Sequence, residues 1–100
     1  MFYNKKIEIL DFQEGYTDDY GIYHKGQEIV LKSIQCDVQP ISADLVQKIF
    51  GNYKNINYRI FADVDESLDT GVIIQYDNQK YKIKKIILWD EYVDFIVEKV

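Results

Sequence analysis

The residue types that perform nucleophilic chemistry are few in this chain, and they form no recognisable catalytic arrangement. His24 is the only histidine and Cys36 the only cysteine, while the serines are Ser33, Ser42 and Ser67. A nucleophile of this kind needs a base beside it, and no serine lies in a nucleophile-elbow sequence. Cys36 has no adjacent lysine or arginine that would favour its thiolate. We therefore predict that His24 is a turn or surface residue and that Cys36 is a small core hydrophobe.

Two acidic segments have spacings that resemble metal or acid–base sites. The spacing of Asp63, Asp65, Ser67 and Asp69 resembles the first half of an EF-hand loop. However, Leu68 stands where Gly is required and Ile74 stands where Glu is required. The adjacent Asp18 and Asp19 would act as an acid–base pair only in a buried site, which a glycine-flanked loop does not provide. No phosphate-binding glycine motif occurs. The sequence thus predicts no catalytic site, no metal site and no cofactor.

One basic run suggests single-stranded nucleic-acid binding by a barrel of the OB type. Its members are Lys80, Lys82, Lys84 and Lys85, which alternate with Tyr81 and Ile83. The net charge of -5 and the single arginine, Arg59, argue against phosphate-driven affinity. We favour a solvated strand face and retain an oligonucleotide-binding barrel as an alternative. An acidic inhibitor that mimics nucleic acid is another alternative, although the carboxylates are scattered among lysines.

Length and composition are those of one folded domain, which we predict to span residues 1–100. The chain has 100 residues, of which 47 % are hydrophobic and 15 % aromatic, and there is no room for two independent cores. No apolar run approaches the roughly 20 residues of a membrane-spanning helix. The first residues lack the pattern of a signal peptide. These features predict an intracellular protein without membrane association.

Alternation of apolar and polar residues predicts a mainly β fold. Strands are expected at residues 5–12, 28–41, 58–64, 72–76, 80–89 and 92–100. In the last strand, Val93, Phe95 and Val97 lie opposite Asp94, Ile96 and Glu98. Short turns between strands favour a small antiparallel β-barrel or sandwich of about six strands.

The hydrophobic period changes to that of a helix after Pro40. Ser42 is a suitable N-cap, and Gly51 suits the conformation that closes a helix, so one short α-helix is predicted at about residues 43–50. Residues 13–21 and 65–71 have no apolar period and are predicted to be exposed acidic loops.

The second half of the chain carries a pattern of a strand, a short turn, Lys-Tyr-x-Ile and a Trp closely followed by Tyr. The matching residues are Tyr76, Lys80, Tyr81, Ile83, Ile86, Trp89 and Tyr92. In this pattern and in the order of its elements, the chain resembles the head-closure, head–tail connector or stopper proteins of tailed phages and of PBSX-type prophage elements.

The resemblance implies a non-enzymatic structural subunit of a phage or phage-like particle neck. Such a subunit forms a ring that joins the portal and its adaptor to the tail, with DNA passing through the ring without specific binding. Assembly in the host cytoplasm and a final place in the virion neck are expected. Aromatic residues are common at interfaces, so the acidic loops supply the candidate interface residues, namely Tyr16, Asp18, Asp19, Tyr20, Glu66 and Asp69.

Overall fold

A closed antiparallel barrel dominates residues 3–100, the part of the chain that this computed structural model describes. In chain order the elements are β1 (Lys5–Gln13), β2 (Tyr16–Thr17), β3 (Tyr23–His24), β4 (Gln27–Pro40), α1 (Ala43–Ile49), β5 (Ile56–Asp63), β6 (Ile73–Tyr76), β7 (Gln79–Leu88) and β8 (Tyr92–Lys99). The barrel order is β1-β4-β5-β8-β7-β6, and β6 closes it by pairing with β1. The predicted mainly β fold with one short helix is therefore confirmed, in its barrel form.

The inward faces of the six barrel strands form the core as the two-residue period requires. Ile34 and Cys36 of β4 meet Phe95 and Val97 of β8 inside the barrel. Burial raises the pKa of Cys36 to about 12, so its thiol is a core hydrophobe as predicted.

The β1–β4 hairpin extends well beyond the barrel wall. The two strands pair from Lys5 with Cys36 out to Gln13 with Gln27, whereas β5 reaches only as far along β4 as Cys36. We call residues 11–31, which include the small β2–β3 sheet, the arm. It gives the molecule an extent of 55 Å and a radius of gyration of 15.9 Å, against about 13 Å for a typical chain of this length.

The arm corrects one sequence-based prediction. Residues 13–21 are exposed, but they are not a structureless loop, because β2 pairs with β3 in a separate two-stranded sheet. Two-residue strands are too short to produce a recognisable period in the sequence. The hydrophobic pattern of residues 13–21 therefore indicated only that the preceding strand had ended.

The helix α1 begins at the predicted residue. The Ser42 hydroxyl accepts a hydrogen bond from the Leu45 amide at 3.2 Å, and Val46 packs with Phe50 against Ile96 on the outer face of β8. Leu45 is partly exposed, because a helix of two turns buries only a narrow face. No helix within residues 3–100 is long and apolar enough to cross a membrane.

The β6–β7 connection is a two-residue turn. Asp77 and Asn78 have φ angles of 50° and 63°, which is the left-handed pair of a type I′ turn. The sequence Asp-Asn lacks the favoured glycine, yet both residue types tolerate this conformation because their short side chains hydrogen-bond locally.

Candidate interaction surface

All six candidate interface residues lie at one end of the barrel. Because neighbouring strands are antiparallel, the connections 14–26, 64–72 and 89–91 all leave the barrel at the same end. Tyr16, Asp18, Asp19 and Tyr20 occupy the tip of the arm, whereas Glu66 and Asp69 lie in the 64–72 connection. We call this the arm end. The arm separates the two groups, and no hydrogen bond or ion pair within residues 3–100 joins them.

The tip of the arm is organised around one carboxylate. Asp18 Oδ1 accepts hydrogen bonds from the amides of Tyr20 and Ile22, both at 2.9 Å. Its Oδ2 lies 2.8 Å from His24 Nε2, and the Tyr16 ring stacks on the His24 ring at 4.7 Å between centroids. The hydrogen bond with His24 is the main cause that holds the pKa of Asp18 below its ordinary value. Asp18 therefore shapes the tip, and its neighbours present the surface.

Large apolar side chains are exposed along the arm. Tyr20 at the tip is 89 % exposed, and six others are between 52 and 67 % exposed, namely Phe12, Tyr16, Ile22, Tyr23, Val30 and Leu31. Tyr16 pairs with His24 and Tyr23 pairs with Thr17, so Tyr16 and Tyr23 point to opposite faces of the small sheet. The exposed apolar side chains are therefore spread over both sides of the arm. Of the seven, only Tyr16 and Tyr20 are among the interface residues expected from the sequence. Phe12, Val30 and Leu31 lie in segments that are predicted to be ordinary strands.

The arm turns at a joint where two chain segments approach closely. A Cβ on Gly26 would lie 2.7 Å from Phe12 Cζ and 2.8 Å from the Gln13 carbonyl oxygen, and one on Gly15 would lie 2.8 Å from the His24 carbonyl oxygen. Glycine is required at both places, since a side chain would meet backbone that has no room to move. The joint thereby fixes the direction of the tip.

We expect Gly26→Ala to lower the free energy of unfolding by about 1 kcal/mol, the lower end of the usual effect of forcing an extra methyl into a packed site, because the tip can open locally while the barrel stays folded. Amide chemical shifts should move at residues 12–16 and stay unchanged in the barrel. Chemical denaturation and NMR spectra would test this, with Lys25→Ala as the control at a neighbouring exposed position. Wild-type stability in Gly26→Ala would contradict the tight joint.

The 64–72 connection is held by a second carboxylate. Asp65 accepts hydrogen bonds from Lys32 Nζ at 2.6 Å, from the Ser67 amide at 2.9 Å and from the Ser67 hydroxyl at 2.5 Å. Leu68 is buried under the loop, while Glu66 and Asp69 stay exposed. Within residues 3–100, no group of three or more histidines, cysteines and carboxylates is placed to hold a metal ion. Asp65 and Ser67 of the EF-hand-like spacing form a local turn.

Asp65 should give the protein an acid-dependent share of its stability. The hydrogen bond from Lys32, with those from Ser67, lowers the pKa of Asp65 from 3.8 to about 2. A depressed folded pKa stabilises the folded state above about pH 4, and this contribution disappears as the pH falls towards 2. We expect Asp65→Asn to cost about 1 kcal/mol at pH 7, because Lys32 is half exposed.

The difference between Asp65→Asn and wild type should vanish near pH 2. Urea denaturation at pH 7, 4 and 2 would measure it, with the exposed Glu66→Gln as the control. A difference that is the same at pH 7 and pH 2 would show that the carboxylate charge plays no part.

An open apolar groove of about 600 Å³ lies where the arm joins the barrel. Leu10 and Phe12 of β1, Leu31 of β4 and the segment 71–73 contribute its apolar lining, and Asp69 lies at its edge. The groove brings the base of the arm and the 64–72 connection into one surface.

The lysine run of β7 is largely engaged within the molecule. Lys80 Nζ lies 2.6 Å from Glu28, Lys84 Nζ lies 3.5 Å from Glu98, and Lys85 donates to the Phe50 carbonyl at 3.0 Å. The intervening Tyr81 and Ile83 are buried in the core, so they offer no stacking platform to bases.

Comparison with known proteins gives a fold and no family. No protein-family model matches the chain, and no curated protein matches it. The fold is similar to a solved one. The solution structure of protein SF1141 from Shigella flexneri 2a has a TM-score of 0.71 and 9 % identity to this chain, and the match covers 97 % of this chain and 92 % of that chain. At this identity the likeness shows the fold alone.

The arm exposes large apolar side chains, while Asp18 and Asp65 of the arm end hold local turns. Exposed apolar side chains that are concentrated on one projecting segment are typical of interaction sites.

Proposed function

We propose that this chain is a non-enzymatic structural subunit of a phage or phage-like particle neck, where it forms a ring between the portal or its adaptor and the tail. The observation that carries the proposal is the arm, a two-stranded ribbon with seven exposed apolar side chains that projects from a closed barrel. A free monomer has no use for such a surface, whereas a ring subunit needs one on every copy.

The barrel supports this role because it is rigid and has few edges. Closure pairs the strands around the wall, which removes the uncontrolled edge-to-edge association that open sheets risk. Association is then directed to the arm, and an assembly part benefits from having one specified contact surface.

The charge distribution suits a subunit that surrounds DNA without holding it. The net charge is -5 with a single arginine, and that arginine is bonded to Asp94 within the fold. Tight DNA binding depends on lysine and arginine contacts to phosphates. A ring of such subunits would let DNA pass.

The two alternatives have less support. An oligonucleotide-binding barrel would need the β7 lysines free, whereas Lys80, Lys84 and Lys85 have partners within the molecule. An inhibitor that mimics nucleic acid would need a continuous face of carboxylates. In this chain, Asp18 and Asp65 of the arm end accept local hydrogen bonds from backbone amides.

Co-expression with the proteins encoded beside it tests the proposal most directly. We expect this chain to co-purify with portal-, adaptor- or tail-like proteins and to appear as a ring in electron micrographs, with the arm in contact with a neighbouring chain. Co-purification with a nuclease, or salt-sensitive binding to a single-stranded oligonucleotide without any ring, would overturn the proposal.

A further inference from the structure

Charge is unevenly distributed along the molecule. The three connections at the arm end carry eight carboxylates and only Lys25, which gives a formal side-chain charge of -7. The rest of the chain has nine carboxylates and eleven lysines or arginines, a charge of +2, and the two parts account for the total of -5. The acidic residues of the arm end are Glu14, Asp18, Asp19, Asp65, Glu66, Asp69, Asp90 and Glu91.

A basic strip lies along the outer side of β7, and Lys80 at one end of it pairs with Glu28 of the arm. Tyr81 and Ile83 of β7 point into the core, so the alternating Lys80, Lys82 and Lys84 point outwards. We call these three lysines the lysine face. Lys80 and Lys84 have partners, but Lys82 is exposed and forms no ion pair within residues 3–100.

We propose that the acidic tip of the arm docks on the lysine face of a second copy of this chain. This inference rests on the ring proposed above and names the contact that would build it. Asp19 is the tip carboxylate best suited to meet Lys82, because it is exposed and forms no hydrogen bond or ion pair within residues 3–100. Tyr20 beside it supplies the aromatic anchor.

Electrostatics selects this arrangement over a symmetric one. Two arm ends that meet each other would bring charges of the same sign together, which costs energy and suppresses that pairing. An arm end that meets the lysine face joins opposite charges on different surfaces of the chain. Contacts of this head-to-tail type produce rings when the rotation between copies closes.

The contact should be weak between isolated subunits. Exposed ion pairs contribute little individually and are screened by salt, and the lysine face offers less apolar surface than the arm. Neighbours held side by side on a portal would meet at high effective concentration, so a weak contact suffices there. The experiment must therefore detect transient association.

Intermolecular paramagnetic relaxation enhancement detects such contacts. A nitroxide would be attached at Thr17→Cys on the arm of protein without isotope label. This spin-labelled protein would be mixed with ¹⁵N-labelled wild type at about 0.01 M ionic strength, where charges act over about 30 Å. Cys36 is fully buried and does not compete for the label. A nitroxide at Gln47→Cys on α1 is the control, since neither substitution changes the net charge.

We expect the amide signals of residues 80–84 to lose at least half their intensity with the arm label and to keep it with the control label. The intensity loss should disappear when the ¹⁵N-labelled protein carries Lys82→Glu. It should return when the spin-labelled protein also carries Asp19→Lys, because the two charges are then reversed together. For the wild-type pair, the loss should vanish in 1 M salt, where the screening length is about 3 Å. Broadening at the arm, at another surface or nowhere would overturn the inference. A ring seen by microscopy with any of those outcomes would leave the proposed function standing and reject only this contact.

Discussion

Replacing Asp94 by asparagine is expected to lower the free energy of unfolding by about 3–5 kcal/mol, which is the usual cost of leaving one partner of a buried ion pair alone. Asp94 is fully buried on the outer face of β8. Both its oxygens accept from Arg59, from Nε at 2.9 Å and from Nη2 at 2.5 Å. Asparagine keeps the shape of the side chain but removes the charge that compensates the guanidinium.

The surroundings of Arg59 make this loss hard to relieve. The guanidinium lies 4.7 Å from the centre of the Phe61 ring and 5.6 Å from that of Phe50, so two aromatic rings hold it in place. The hydrogen bonds with Asp94 are the main cause that raises the pKa of Arg59. A guanidinium stays protonated without such a partner, so the arginine remains charged in the variant.

A matched control lies on the same strand. Glu98 is 3.5 Å from Lys84, and both side chains are about one-third exposed, so Glu98→Gln should cost less than about 1 kcal/mol. The double variant Arg59→Met, Asp94→Leu should recover most of the stability, because an apolar pair of similar volume removes both buried charges. Equal costs for Asp94→Asn and Glu98→Gln, measured by urea denaturation, would contradict the buried-pair argument.

The Arg59–Asp94 pair also shows where sequence reasoning stops. The alternation in β8 correctly grouped Val93, Phe95 and Val97 on one face, and that face lies inside the barrel. It grouped Asp94 and Ile96 with Glu98 on the other face, and both are fully buried. A period of two tells which side chains share a face, but it does not tell which element covers the outer face, and here that element is α1.

Local signals were the reliable ones. The cap at Ser42 correctly predicted the start of α1, and the predicted bounds of the last barrel strand are within one residue of the observed ones. Both predictions succeeded because caps, turns and alternation depend on neighbours in sequence. The arm depends on something else. It exists because β1 and β4 continue to pair for several residues after β5 and β6 have ended, and relative strand lengths follow from register, which no short segment specifies.

The second large effect is expected from removing the tip of the arm. Gln13 and Gln27 face each other across the hairpin, so residues 14–26 can be replaced by Asn-Gly, which favours a two-residue type I′ turn. The tip strands pair only with each other. We therefore expect the shortened chain to fold with a stability within about 1 kcal/mol of wild type, since shortening a loop changes closure entropy only slightly.

The shortened chain should fail in assembly. It lacks Tyr16, Tyr20 and Tyr23, and loss of even one interface tyrosine of the hot-spot type costs about 2 kcal/mol or more. Incorporation into the ring should fall by about a hundredfold or more, while Tyr20→Ala alone should give an intermediate loss. Small-angle scattering would verify the shortened shape through a radius of gyration that decreases from 15.9 Å.

Measuring fold and assembly on the same variant separates two explanations that a simple loss of rings would confuse. A shortened chain that unfolds in urea like wild type but no longer joins the ring assigns the assembly contact to the arm, because the barrel is then intact. A shortened chain that still enters rings at the wild-type level would show that the barrel wall makes the contacts. The exposed aromatic residues of the arm would then need a partner outside the ring.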